Sequence, residues 1–514
     1  MISSSETEFI DLEASRQAEH FSTDHLLGNI GSRAVSGGFI TIGAQATKFS
    51  LNLMSAAVLA RLLSPRDFGL VGMVLGVTGL VGVFNAMGLS TATVQRDKIT
   101  QEQVSNLFWI NVGSSGILSI ISLVSAPLIA GFYHDARVAG IMLALSFTFL
   151  LTGSTVQHQA LLTRQMRFRA LAVIDVSSAA IGFTVACCMG WFGCAYWALV
   201  GQQLVTAGCA LAMTWKTSGW RPQLPSRNSG VKPLVRFGVH LSLADFLALL
   251  TVNSDSILIG RLFGAEALGL YTRASVLLMR PLQQVMTPIN SVLVPVLSRL
   301  DGDPERYRRN HMRAYDMLAL IVFSFSAMCF VLAKPLVLVI LGSKWTNVVP
   351  LFAAFSLVAV SGPLSGICPW IYESQGRGSD QLRNHTVAGI VTLLSYIVGL
   401  RWGPLGVILS VAITSLLVRM PIIYYIAGRS GPVRTRDLWI GFLSNFPCWC
   451  SVFLATTLTY RAVAADHFAP IVQLLVCVPV GVFGGALLIL MFPRPRASAL
   501  FGWNLIKDQL IERS

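Results

Sequence analysis

Charge is scarce in this 514-residue chain: Asp, Glu, Lys and Arg make up 12% of it, against about 25% in soluble domains. With 54% hydrophobic residues and a mean hydropathy of +0.65, that scarcity excludes a water-soluble globular composition. Segments of about ten alternating residues are missing too, which excludes a transmembrane barrel. No CxxC pair and no Cys/His cluster occurs among the nine cysteines, so packed free thiols are expected rather than metal ligands. There is no GxxxxGK[ST] phosphate loop and no HExxH spacing, and hence no sign of ATP hydrolysis or zinc chemistry in the chain itself. No cofactor is expected. The polar, Ser-rich N-terminal stretch lacks the basic start and apolar core of a cleavable signal, and residues 1–35 are expected to form a disordered cytoplasmic tail.

What is present is a succession of apolar runs, each long enough to cross a hydrocarbon core of about 30 Å. They recur from Gly38 almost to the C-terminus. Breaks at charged, Gly and Pro positions suggest fourteen spans: 38–60, 69–94, 104–132, 138–162, 170–190, 193–215, 234–260, 269–295, 315–341, 347–372, 385–400, 404–427, 438–460 and 470–492. Loop charge supports an even number. Most loop Lys and Arg follow the even-numbered spans, as in RYRRNHMR at 306–313, and cytoplasmic loops carry that excess. Both termini are thus expected in the cytoplasm of a multi-pass inner-membrane protein. The net charge of +14 is accounted for by anionic lipid at that surface, and no nucleic acid is implied. The expected outer loops are short.

An internal repeat organises the spans. VLARLLSPRDFGLV (58–71) returns 200 residues later within SDSILIGRLFGAEALGLYTRA (254–274), matching Arg61-Leu62 and Gly69-Leu70 to Arg261-Leu262 and Gly269-Leu270. Each block follows the first helix of a six-span set, and six being even, the two sets share one orientation. The fold expected is all-α and polytopic, with about 14 transmembrane helices: lobes of six over 36–216 and 234–430 in parallel repeat, a cytoplasmic linker over 217–233, two additional helices over 431–493 and a cytoplasmic tail over 494–514. The repeated Arg is read as a helix-end residue reaching headgroups or carbonyls, and the repeated Gly as ending a tight outer turn.

These two blocks, LARLLSPRDFGL (59–70) and DSILIGRLFGAEALGLYTRA (255–274), resemble the Wzx-like polysaccharide flippases of the multidrug/oligosaccharidyl-lipid/polysaccharide exporter superfamily. Together with the span count, the resemblance covers most of residues 38–430. It implies two six-helix lobes around a central cavity and translocation of undecaprenyl-diphosphate-linked sugar units from the inner to the outer leaflet. It further implies a lipid-linked oligosaccharide as substrate, with a polysaccharide polymerase and export machinery as partners.

Ionisable residues inside spans are the candidate site residues, since burying one costs about 2.5–3.5 kcal/mol at a helix centre. Lys48 sits mid-span in a stripe of Thr41, Gln45, Lys48, Asn52 and Ser55, whose 4-3-4-3 spacing places them on one helical face. Arg280 has a similar stripe with Arg273, Gln284, Thr287 and Ser291. Asp245 is placed to pair with either cation. One reading gives these cations the diphosphate charge to offset; the other makes Lys48–Asp245 or Arg280–Asp245 a buried structural pair. Asp255 is a substrate candidate or a contact to the loop. Lys334, Arg419 and Asp175 lie close enough to an interface to snorkel. Prolines concentrate in the second lobe and are expected to bend its helices. The rival functions are a multidrug or small-molecule exporter of the same superfamily and a membrane glycan polymerase or ligase. The first favours cavity carboxylates, and the second needs acid/base residues grouped on one loop.

Overall fold

A computed structural model describes residues 30–86, 89–96, 99–226, 232–300, 302–466 and 468–491, and among these every regular element is helical. The chain divides into two compact units after Glu266. In the first lie α1 (Ile30–Leu62), α2 (Pro65–Ala86), α3 (Leu89–Gln95), α4 (Gln101–Tyr133), α5 (Arg137–Gly153), α6 (Val156–Arg164), α7 (Phe168–Trp191) and α8 (Trp197–Ser218). A long helical run, α9 (Lys232–Arg299), is interrupted at Gly264 (φ 81°, ψ −178°). The second unit continues with α10 (Pro304–Val331), α11 (Ala333–Ile340), α12 (Val349–Ser365), α13 (Cys368–Ser374), α14 (Gly378–Gly399), α15 (Gly403–Thr414), α16 (Met420–Gly428), α17 (Thr435–Ala465) and α18 (Pro470–Met491).

Helices α4 and α7 are built inside out relative to those of soluble proteins. The face of α4 buried against α5 carries Asn111, Ser115, Ser119, Ser122, Ala126 and Ala130. Its exposed face carries Ile117, Ile120, Ile121, Val124 and Leu128. Lipid tails are as apolar as leucine, so helices associate through close approach of small residues and through hydrogen bonds. Ser119 Oγ donates to the Ser146 carbonyl of α5 at 3.0 Å. On α7 the same logic gives the stripe Ser178, Gly182, Ala186 and Gly190. A Cβ at Gly182 would fall 2.0 Å from Thr206 Oγ1 of α8. Aromatic rings lie at the ends of these helices: Trp191 and Phe192 are 80% and 83% exposed, and Trp197 and Trp215 are exposed near either end of α8.

Nine helical segments among the described residues are long and apolar enough to cross a membrane. The count differs from the fourteen expected at five places. Leu249–Arg299 and Gly378–Gly428 each join two expected spans into one helical run, while α1 and α8 are diluted by polar side chains such as Gln45, Lys48, Gln202 and Gln203. Of the last expected span only the shorter apolar stretch Pro470–Gly485 counts among the described residues.

Three expectations are corrected. Gly69 ends no turn. The corner lies at Ser64, whose backbone N–H donates to Asp67 Oδ2 at 2.9 Å, and Gly69 sits inside α2, where a Cβ would fall 1.6 Å from the Ala265 carbonyl oxygen. It is a close-approach glycine. Arg261, in the second block, donates to the His134 ring nitrogen at 2.8 Å and lies over Phe132. Beside it, the Arg137 guanidinium hydrogen-bonded to Asp135 holds that carboxyl below the usual carboxylate range. Of the second-lobe prolines, Pro350, Pro369 and Pro404 start helices rather than bend them, because the first helical turn needs no N–H from them, whereas Pro421 follows the π-helical turn Ser415–Arg419 within the continuous run Gly378–Gly428. Pro363 does lie inside a helix.

Candidate substrate recess

Three helices of the first unit enclose a polar recess of about 310 Å³. From α1 come Thr41, Gln45 and Lys48, from α6 Gln159 and Thr163, and from α7 Phe168 and Asp175. The spacing of Gln45 and Lys48 turns both to one side of α1, and Gln159 and Thr163 are likewise one turn apart. Phe168 begins α7 and lodges on Gly37, where a Cβ would stand 2.3 Å from its Cδ2. Lys48 Nζ lies 3.3 Å from Asp175 Oδ2.

That contact corrects the sequence reading. Among the described residues the partner of Lys48 is Asp175, and Asp175 is no lone snorkelling residue. Asp245 lies on α9, and its side chain is outside the described residues. Of the Lys48 stripe, Thr41, Gln45 and Lys48 line the recess. Ser55 is buried and accepts from Gln202 Nε2 at 3.2 Å, while Asn52 is exposed and lies apart from the recess. Asp255 is half-buried and engaged by the protein.

In the second unit Arg280 and Gln284 are exposed on α9, and Arg280 makes no ion pair among the described residues. Arg273 is half-buried and engaged by the protein. Thr287 lines a separate cavity of about 650 Å³ with Asn290, Trp370, Glu373 and His385, where Trp370 Nε1 donates to Asn290 Oδ1 at 2.6 Å. Arg419 does not snorkel freely: its Nε is buried, and Nη1 reaches Thr392 Oγ1 at 3.4 Å. Lys334 is exposed. A third cavity, of about 770 Å³, is lined by Glu305, Arg308, Arg377, Asp380 and Arg434, of which Arg308, Arg377 and Asp380 are engaged in the pairs Arg308–Asp437, Arg377–Asp380 and Arg429–Asp380.

Residues that sequence reasoning missed sit at the helix breaks. Gln165-Met166-Arg167 joins α6 to α7, and 210 residues later Gln375-Gly376-Arg377 joins α13 to α14. The middle residue is left-handed in both, with φ of 53° at Met166 and 65° at Gly376. Arg167 donates to the Thr217 carbonyl at the end of α8 (3.1 Å). Arg377 donates to the carbonyls of Ile426, Ala427 and Ser430 around the end of α16. The shared Gln-x-Arg was the available signal.

Nine long apolar helical segments among the described residues, with small and polar buried faces on α4 and α7, define a polytopic helical membrane protein. The chain belongs to the polysaccharide biosynthesis protein family, whose model matches residues 58–350. It is 27% identical over 276 residues to the teichuronic acid biosynthesis protein TuaB of Bacillus subtilis (strain 168), a match covering 53% of this chain and only 57% of that one. With the lipopolysaccharide biosynthesis protein WzxC of Escherichia coli (strain K12) it shares 22% identity over 426 residues, 82% of this chain and 87% of the relative. The succinoglycan biosynthesis transport protein ExoT of Rhizobium meliloti (strain 1021) is 26% identical over 64% of this chain and 67% of its own. Among solved structures, the lipid II flippase MurJ in its inward closed conformation superposes with a TM-score of 0.68 at 13% identity, covering 88% of this chain and 99% of that one. An inward-facing multidrug resistance transporter of the MATE family gives 0.55 at 13% identity, covering 78% and 94%. At such identities the likeness speaks for the fold, a polytopic all-helical one.

Proposed function

We propose that the protein is a flippase for undecaprenyl-diphosphate-linked oligosaccharide repeat units, carrying them across the inner membrane for the synthesis of a surface polysaccharide. The observation that carries this reading is a polar recess, with Gln45, Lys48 and Asp175 in its wall, opened among membrane-type helices of a polysaccharide biosynthesis family member. Hydrophilic side chains held in such helices are costly unless a polar cargo or water meets them. In this reading the chain crosses the membrane fourteen times with both termini in the cytoplasm. Its six-helix lobes occupy 36–216 and 234–430, and it passes its cargo to a polymerase and export machinery. Because Lys48 already faces a carboxylate, the cation assigned to the diphosphate is Arg280, with Gln284 beside it.

Deleting the gene tests the function. Lipid-linked repeat units should accumulate in the cytoplasmic leaflet, and the wild-type chain should clear them. Normal polysaccharide export without accumulation would sink the proposal. Drug sensitivity without accumulation would favour the multidrug-exporter reading, which draws on the same fold. Arg280→Ala should strongly reduce export at normal protein abundance. For the topology, with exposed Cys188 and Cys450 replaced by Ser, a cysteine at Arg309 should resist an impermeant thiol reagent in spheroplasts and one at Glu266 should react. The reverse labelling pattern would invert the orientation.

A further inference from the structure

The recess has the wrong charge for a diphosphate and the right chemistry for a sugar. Lys48 and Asp175 stand 3.3 Å apart, so their formal charges cancel. The Asp175 side chain is 50% exposed, and a phosphate entering beside it would meet a like charge. The rest of the polar lining is neutral: Thr41, Gln45, Gln159 and Thr163. The side chains of Gln45 and Gln159 form no hydrogen bond with protein among the described residues. An amide presents donors and an acceptor together. A phosphate oxygen uses only the donors, whereas each sugar hydroxyl is itself donor and acceptor and uses both. An ammonium and a carboxylate side by side make the same two-way offer. Phe168 adds an apolar ring to the wall, suited to the C–H face of a pyranose. At about 310 Å³ the recess falls at the small end of ligand pockets, which run from roughly 300 to 1,000 Å³, enough for a sugar residue or two but not for a whole repeat unit.

We infer that this recess is a sugar subsite, which holds an uncharged pyranose of the lipid-linked unit between Gln45, Gln159 and the Lys48–Asp175 pair. The inference rests on the flippase reading and deepens it. The glycan is recognised in the first unit by paired donors and acceptors, and the diphosphate is met by a different residue. Recognition of the glycan is then separable from recognition of its carrier.

Binding to the full-length protein in nanodiscs separates them. The two probes are undecaprenyl diphosphate without sugar and the glycosylated lipid extracted from the deletion strain. Wild type should prefer the glycosylated lipid. A Gln45→Ala, Gln159→Ala double variant should lose about tenfold or more of its affinity for the glycosylated lipid, the effect of two hydrogen bonds. It should bind undecaprenyl diphosphate within about twofold of wild type. Asp175→Asn, which uncovers the Lys48 charge, should tighten undecaprenyl diphosphate binding and weaken that of the glycosylated lipid. Should the double variant lose its fold in detergent, Gln159→Asn provides the same comparison with a shortened amide and the helix intact. Equal losses on both lipids, or no loss on either, would overturn the sugar subsite while leaving a flippase. Wild-type protein that binds neither lipid would overturn both.

Discussion

The turn at Gln165-Met166-Arg167 and the turn at Gln375-Gly376-Arg377 share one backbone and solve it with different chemistry. Gln165 and Gln375 both have ψ of 4°, and Arg167 and Arg377 have φ/ψ of −80°/52° and −85°/56°. The middle residue must be left-handed, which glycine accepts freely and a side chain resists by about 1–2 kcal/mol. The first unit carries that strain at Met166, and its Arg167 is exposed with a single carbonyl partner among the described residues. The second unit relieves the strain at Gly376 and encloses its arginine. Arg377 grips Asp380 through Nε and Nη2 at 2.9 and 2.7 Å, reaches three carbonyls and lies 5.5 Å from the centre of the Tyr372 ring. The first joint is a peg at a helix end and the second a buried clasp. A geometry kept while its side chains diverge marks the joint itself as what the two units share.

The difference can be broken most forcefully at the clasp. Arg377→Ala takes from Asp380 one of its two arginine partners, Arg429 remaining on the other oxygen, and leaves the carbonyls around the end of α16 open, which should cost about 2–3 kcal/mol. It should appear as a large drop in thermal stability in detergent and in membrane abundance. Arg377→Lys should rescue little, because an ammonium cannot match the planar fork. An unchanged melting curve for Arg377→Ala would reduce the clasp to a peg. Next in size, Gly376→Met transplants the first unit's strain into the second. No atom stands within 4 Å of the added Cβ, so the loss should be the backbone penalty alone, about 1–2 kcal/mol. Arg167→Ala should cost about 1 kcal/mol or less, the worth of one exposed hydrogen bond. The smallest effect, and a favourable one, is expected from Met166→Gly. Relief of the left-handed strain, partly offset by the added chain entropy of glycine, should raise stability by about 0.5 kcal/mol. A fall there would mean that the Met166 side chain matters more than its backbone.

The polar stripe of α1 was legible in the sequence because 4-3-4-3 spacing is a property of one helix. Its partner was not. Asp175 is 127 residues from Lys48, and nothing in its own neighbourhood distinguishes a paired carboxylate from one that snorkels. The all-helical fold followed from apolar runs alone. The helix breaks did not, because Thr152, Gly153, Ser154 and Thr155 are all tolerated within a membrane helix, so the apolar run 138–162 conceals the step from α5 to α6. The role of Gly69 was hidden in the same way. A glycine beside Pro and Asp reads as a turn residue, and only the approach of the Ala265 carbonyl reveals that it is kept small for packing.

The indole rings at the two ends of α8 carry a consequence for the bilayer around them. Trp197 and Trp215 are separated by eighteen residues of continuous helix, about 27 Å at 1.5 Å per residue. Indoles settle at the level of lipid headgroups, and the hydrocarbon between headgroups is about 30 Å deep. The first unit thus carries a gauge of membrane thickness. In a bilayer thickened by longer acyl chains, one ring of the pair would be drawn under the hydrocarbon or α8 would have to stand more upright. Lipid chain length alone would then alter how the small-residue faces of α7 and α8 meet.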